Sequence, residues 1–222
     1  MRFDIISLFP EYFQGPFSES ILKRAIEAGI LEINHVNIRD FADNKWNRVD
    51  DRPYGGGPGM VLMPEPVSAA VRSVKQEGHV IYLSPQGKPL NAAKCRELAQ
   101  KKHLILLCGH YEGVDERVLE SDIDEEISIG DYVLTNGCLA AIVLVDAVSR
   151  FLEGVLGHPE AAKSDSFEEK CVFDCPHYTR PEEFEGKKVP SVLLSGNHQE
   201  IARWRRERAF EKTLKVRPEL IK

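Results

Sequence analysis

Three glycine-bearing segments, each following an apolar run, are the first places in this chain where chemistry could be done. They are Ser84-Pro-Gln-Gly-Lys88, Cys108-Gly-His-Tyr-Glu-Gly113 and Ile129-Gly-Asp-Tyr-Val-Leu-Thr-Asn-Gly137. Loops at the carboxyl ends of parallel strands are where α/β folds bind ligands, and glycine there lets a ligand meet backbone N–H and C=O groups directly. One such turn reads as an ordinary strand-to-helix connection; three together point to a shared pocket. Neither G-x-G-x-x-G nor G-x-x-x-x-G-K-[ST] occurs, which sets aside an ordinary dinucleotide or ATP site. Tyr54-Gly-Gly-Gly-Pro-Gly59 lacks the following Lys and helix cap of a phosphate cradle, and by composition reads as a surface loop.

Further candidates lie towards the C-terminus. Cys171, Cys175 and His177 cluster three metal-capable side chains, one fewer than a closed zinc site uses, so buried thiols are the preferred reading and no metal is assigned. His177 and Tyr178 could stack on or hydrogen-bond a displaced base, or could pack within their loop. Arg203, Arg205, Arg206 and Arg208 surround Trp204; they form either a grip on nucleic-acid phosphates or the solvated face of an amphipathic helix.

Charge distribution bears on that choice. The 222 residues carry a formal net charge of −6, which taken whole argues against a nucleic-acid partner. His198 to Lys222, however, holds eight Lys/Arg and four Asp/Glu, a net of +4, so the other 197 residues carry −10. An acidic body with a basic tail keeps RNA in play. The longest fully apolar run, Leu139 to Val145, is far too short to span a membrane. Asp4 interrupts the apolar N-terminus, so no signal peptide is expected. An odd count of five cysteines in no regular framework suits a reducing, cytoplasmic setting.

These residues need elements to hold them. Apolar runs predict strands at Phe3 to Leu8, Ile33 to Ile38, Val80 to Leu83 and Leu104 to Cys108, with strand-like pieces between Ile127 and Leu134. Helical periodicity and stop signals predict helices from Ser18 to about Gly29, over Pro64 to Val74, from an Asn91 cap to about Gln100, over Val114 to Leu119, over Leu139 to Phe151, and from Gln199 to Leu214. Alternating strands and helices argue for an α/β fold with a mainly parallel sheet. Between Glu153 and Ser195 the periodicity fades into Gly/Pro punctuation, as in a long linker or functional loop.

The whole chain also resembles a known family. The segments VDDRPYGGGPGM (Val49 to Met60), YLSPQGKPL (Tyr82 to Leu90), CGHYEGVDERV (Cys108 to Val118), SIGDYVL (Ser128 to Leu134), VSRFLEGVLG (Val148 to Gly157), DCPHYTRP (Asp174 to Pro181) and PSVLLSGNHQEIARWR (Pro190 to Arg205) are similar, in collinear order, to bacterial tRNA (guanine-N1)-methyltransferases. The resemblance implies a SPOUT fold with a deep trefoil knot, a rare exception to un-knotted topology. It implies a knotted cofactor-binding domain over 1–157, a linker and active-site loop over 158–189, and a small C-terminal helical tRNA-binding domain over 190–222. It implies S-adenosylmethionine as methyl donor, leaves Mg2+ open, and places Leu83, Ser84, Pro85, Gly109, Tyr111, Glu112, Ile129, Gly130, Asp131, Tyr132, Val133, Leu134 and Gly137 around the donor.

By the same resemblance, Asp165 is the general base that takes the proton from guanine N1, and Arg150 stabilises the charge that develops on O6. Read without it, Asp165 is a helix N-cap with Glu168 three residues on, and Arg150 a partner for a helix C-terminus. Asp174 and His177 would contact RNA together with Arg203, Arg205, Arg206 and Arg208. The expected reaction is methylation of the guanine 3′ of the anticodon, tRNA nucleotide 37, by a homodimer whose sites are shared between subunits. A SPOUT enzyme with another RNA target, or a non-catalytic cofactor-binding RNA chaperone, are the alternatives. The sequence departs from the family at Asn136-Gly-Cys-Leu-Ala140, where relatives read Gly-Gly-Glu-Leu-Pro. Relatives also commonly continue past Arg217-Pro-Glu-Leu220, so the helical domain is expected to be short.

Overall fold

A computed structural model of the chain describes residues 1–157, 165–167 and 172–221. The chain divides into two compact units, Met1–Gly157 and His158–Lys222.

The first unit is built on five parallel strands in the order β2-β1-β6-β5-β7: β1 (Arg2–Ser7), β2 (Glu32–Asn37), β5 (His79–Pro89), β6 (His103–Cys108) and β7 (Glu125–Ser128). A short antiparallel pair, β3 (Asp50–Asp51) and β4 (Val61–Leu62), stands apart from it. The central strands read as unbroken apolar runs because both faces of the sheet are covered. Alternate side chains go to opposite cores. Phe3, Ile5, Ile81, Leu83, Leu104 and Leu106 pack with helices α1 (Ser20–Glu27), α3 (Ala92–Leu98) and α5 (Cys138–Ser149). Ile6, Val80, Tyr82, Ile105 and Leu107 pack with α2 (Pro64–Val74) and α4 (Glu116–Asp122). Leu106 is fully buried, so truncating it to Ala costs about 2–5 kcal/mol.

Polar groups inside this unit are paired. Asp4 is fully buried on β1, accepts from Asn34 Nδ2 at 2.9 Å, and lies 2.8 Å from His103 Nε2 and 2.9 Å from an Arg2 nitrogen. Asp122 ends α4 and binds the Ser68 hydroxyl and the Arg72 guanidinium, tying α4 to α2.

The second unit is thinner. A two-residue turn at Glu185 and Gly186, both with positive φ, joins β8 (Glu183–Phe184) to β9 (Lys187–Lys188), as a tight hairpin requires. Helix α6 (Ser191–Leu194) precedes α7 (His198–Val216), which Asn197 caps by accepting from Gln199 and Glu200 backbone N–H groups. Among the described residues, only Cys175, Ala209 and Thr213 of this unit are buried. No helix of the described residues is long and apolar enough to cross a membrane.

Several expectations need correction. The strand predicted over Val80 to Leu83 does not stop at Ser84. Leu83 and Lys88 both pair with Ile127, so Ser84–Gly87 bulges out and β5 resumes through Pro89. Ile129 to Leu134 is not strand; pairing ends at Ser128. The first helix begins at Ser20, because the Ser18 hydroxyl bonds Gly15 O instead of capping. Helix α4 begins at Glu116, capped by Asp115, because Val114 is held in a bridge to Leu62. The region expected to be irregular up to Ser195 contains β8, β9 and α6.

Candidate active site

The three glycine segments meet because they leave the sheet at the same level. Leu83 pairs with Cys108 across β5 and β6, and with Ile127 across β5 and β7. Each loop then turns into the same space. Gly137 N donates to Gly109 O at 2.9 Å and His110 bridges Asn136, joining the second loop to the third. Leu90 N donates to Ser128 O at 2.7 Å, joining the first to the third.

Two glycines are fixed by that crowding. A Cβ on Gly87 would lie 2.5 Å from Ile127 N, and one on Gly137 would lie 2.9 Å from Cys108 Cα. Both obstacles are backbone and cannot move aside.

The loops enclose a cavity of about 210 Å³. Leu83, Ser84, Pro85, Gly109, Tyr111, Glu112, Ile129, Gly130, Tyr132, Val133, Leu134 and Gly137 line it; Asp131 is exposed and does not. His110, Gly113, Thr135 and Asn136, inside the glycine segments but not singled out from the sequence, also line it, as do Tyr82 and Ala140 outside them. Burial pushes the Tyr82 hydroxyl up to about 12, with Glu126 adding to the effect, so it stays protonated. Burial, with Arg39 nearby, lowers His110, whose ring is therefore neutral at pH 7. Its Nδ1 is buried with no hydrogen-bond partner among the described residues. A lone His inside an interrupted glycine motif was the available signal.

The departure at 136–140 has a local account. Asn136 Oδ1 accepts from Cys138 N at 2.8 Å and starts α5, while Cys138 is buried beside Cys108. Burial pushes the Cys108 thiol well up, and its hydrogen bond to Cys138 adds to the rise.

The Gly-rich loop is half of what its composition suggested. Tyr54 is fully exposed and nothing crowds Gly55 to Gly57. Gly59, at φ +81°, instead lies against the Glu112 side chain, which a Cβ there would displace, and Glu112 N donates to Met60 O at 3.0 Å. That end of the loop props a cavity residue.

The model of the tRNA (Guanine-1)-methyltransferase TrmD family matches residues 1–222. The chain belongs to this family. It is 69% identical over 222 residues to the tRNA (guanine-N(1)-)-methyltransferase of Protochlamydia amoebophila, with all of both chains covered. It is 59% identical over 221 residues to the protein of that name from Chlamydia pneumoniae, and 58% to that from Chlamydia muridarum. Those matches take in 99% of this chain but 61% and 62% of the two Chlamydia proteins, so the chain spans less than two thirds of their length.

The family's remaining expected site residues fall in both units. Arg150 is the C-cap of α5, where its backbone N–H donates to Asp146 O. Asp165 lies in a short turn with Ser166 and Phe167, not at the start of a described helix; Glu168, its predicted capping partner, is outside the described residues, as is Cys171. Asp174 Oδ2 is 2.8 Å from His177 Nε2, and Asp174 Oδ1 accepts from Cys175 N at 2.6 Å. Burial alone would raise Asp174; the His177 ring and the Cys175 N–H more than offset it and hold the carboxylate below its ordinary value.

The metal-capable atoms of Asp174, Cys175 and His177 lie within 4.8 Å of one another. The carboxylate's two oxygens are already engaged by hydrogen bonds. Tyr178 lies against Trp204 with ring centroids 6.2 Å apart. On α7, Arg203 pairs with Glu207 and Arg208 with Glu211, whereas Arg205 and Arg206 are exposed with no ion pair among the described residues.

Proposed function

We propose that the chain transfers a methyl group from S-adenosylmethionine to N1 of the guanine 3′ of the anticodon, tRNA nucleotide 37. The observation that carries this reading is the convergence of three glycine loops on one cavity in a chain of this family. The cavity fits a nucleoside donor. Backbone lines it at four glycines, and the unpaired His110 Nδ1 asks for a polar ligand atom. Its volume is below the ~300–1,000 Å³ of typical small-molecule pockets, so a nucleoside-sized ligand would fill it and reach its mouth. Tyr111 and Tyr132, about half exposed, stand there to cover such a ligand. The deep trefoil arrangement expected of SPOUT enzymes is part of this proposal.

The bound donor supplies an electrophilic methyl on a sulfonium. The protein must make guanine N1 nucleophilic. Asp165 accepts the N1 proton as general base, and Arg150 stabilises the charge that then spreads to O6. Held by the three loops, the donor would supply its methyl group to the deprotonated N1, and the protein's remaining task is to position the guanine against it. Asp174, held anionic, accepts from guanine N–H groups, and Arg205 and Arg206 lead the arginines of α7 onto tRNA phosphates.

The division into a knotted domain over 1–157, a linker over 158–189 and a helical domain over 190–222 belongs to the same reading. So does a homodimer. Helix α5 is apolar apart from Asp146 and Ser149, and Leu139 and Val143 on its outer side are over two-fifths exposed, the surface a second copy would cover. A cytoplasmic location is in keeping with the free thiols of Cys95, Cys108, Cys138 and Cys175. Labelled donor incubated with tRNA bearing G or A at nucleotide 37 tests the reaction. Label appears at N1 of G37 alone; equal labelling of both RNAs, or none while donor binds, would defeat it.

A further inference from the structure

A line of hydrogen bonds inside the second unit connects its long helix to the turn that carries Asp165. Thr213 is fully buried on α7 and its hydroxyl donates to Ala209 O at 2.8 Å. The same Oγ1 accepts from Phe173 N at 2.8 Å, so the residue before Asp174 is pinned to the helix by a fully buried side chain. The next residue makes the second link: Asp174 N donates to Ser166 Oγ at 2.9 Å. Ser166 follows Asp165 directly. Phe167 N then closes the turn on Val172 O at 2.9 Å, and the Phe167 and Phe173 rings meet edge to face with centroids 5.7 Å apart.

Within this closure Phe167 is held at φ +73°, a conformation that disfavours a bulky side chain. Strain of that kind persists only where the surroundings dictate the geometry. Here the surroundings are the two hydroxyl links and the ring contact, and what they dictate is where Asp165 stands.

We propose that Thr213 and Ser166 are positioning residues for the methyl-transfer step, seating the Asp165 turn on α7 so that the helix carrying the RNA-facing arginines also sets the place of the proton acceptor. This rests on the reading of Asp165 as general base. Neither hydroxyl touches substrate in this scheme; each acts through backbone N–H groups of Phe173 and Asp174. Loss of either link lets the turn drift, and displacement of a reacting group by about 1 Å is enough to cost 100-fold in rate.

The test is steady-state kinetics of the full chain on tRNA at saturating donor, with thermal unfolding in parallel, for Ser166→Ala, Thr213→Val, Thr213→Ser and Asp165→Asn. Expected are a kcat reduced at least about 10-fold in Ser166→Ala and Thr213→Val with the tRNA KM within about 3-fold, and recovery of most of kcat in Thr213→Ser, which restores the hydroxyl. A kcat unchanged in Ser166→Ala overturns the proposal, and remains decisive should Thr213→Val fail to fold. A raised KM with kcat intact overturns it too, since the links would then serve RNA binding. So does a Thr213→Ser variant as slow as Thr213→Val, since the methyl group and not the hydroxyl would matter. If Asp165→Asn is inactive while the hydroxyl variants behave as wild type, only the positioning role falls; if Asp165→Asn keeps full kcat, the general-base reading falls with it.

Discussion

On the proposed function, the two units of this chain hold their ligands in opposite ways. In Met1–Gly157 the cavity forms where three loops leave the sheet beside the paired residues Leu83, Cys108 and Ile127, and backbone lines it at four glycines. Its precision comes from a sheet buried on both faces. In His158–Lys222 the groups with chemical potential are side chains (Asp165, Asp174, His177 and the arginines of α7), and among the described residues only three side chains there are buried. A backbone pocket tolerates change in side chains but not added volume. A side-chain site tolerates volume but not a change of functional group.

The sharpest way to break that contrast is to alter one group in each unit. Asp165→Asn keeps shape and removes the proton acceptor, so kcat on tRNA should fall by about 10²–10⁴-fold, while donor affinity and melting temperature stay near wild type. Isothermal titration with the donor and a melting curve check the second half. Loss of donor binding would mean that the units do not divide the work as described. Gly87→Ala is the converse. Its Cβ meets the Ile127 backbone, so stability should fall by about 1–3 kcal/mol and donor affinity with it, whatever the tRNA. A variant as stable as wild type would show that the first loop has slack.

That difference also governs what the sequence disclosed. Unbroken apolar runs on β1, β5 and β6 made the parallel α/β sheet readable, since an apolar run with both faces covered has few other uses. The glycines marked the cavity for the same reason: only a residue without Cβ satisfies the approach of Gly137 to Cys108. The bulge at Ser84–Gly87 was not readable, because it depends on Lys88 re-pairing with Ile127, some forty residues away. His110 was hidden for another reason: its role is defined by a missing partner, which no motif encodes. Asp165 of the second unit and Arg150 of the first could be named only through the family resemblance, since an isolated carboxylate or guanidinium has no period or spacing that marks it.

Acid stability gives a gentler test of the first unit. Asp122 belongs to the first. Burial would raise its carboxyl, but the Ser68 hydroxyl, the Arg72 guanidinium and Lys75 more than compensate and leave it below the ordinary value of 3.8. A carboxylate depressed on folding lends stability that is complete above its unfolded value and is lost as the pH falls towards and through the folded one. Unfolding midpoints in urea should therefore drop between about pH 5 and pH 3, and Asp122→Asn should flatten that drop while costing about 1–3 kcal/mol at neutral pH by weakening the Ser68 and Arg72 bonds. An unchanged acid profile would place the acid-sensitive group elsewhere.

The smallest expected effect lies on α7. Arg205 and Arg206 are exposed and, unlike Arg203 and Arg208, have no ion pair among the described residues to give up on binding. If the basic helix follows tRNA phosphates, Arg206→Ala should weaken tRNA binding only a few-fold, and the slope of log affinity against log salt should fall by about one unit. Melting should shift by less than the equivalent of ~0.5 kcal/mol, as for a surface substitution away from packed features. The salt slope carries the argument, because a change in affinity alone could come from altered helix packing. A phosphate contact that disappears takes its released counterion with it; a packing defect leaves the slope where it was and would return α7 to a solvated amphipathic helix.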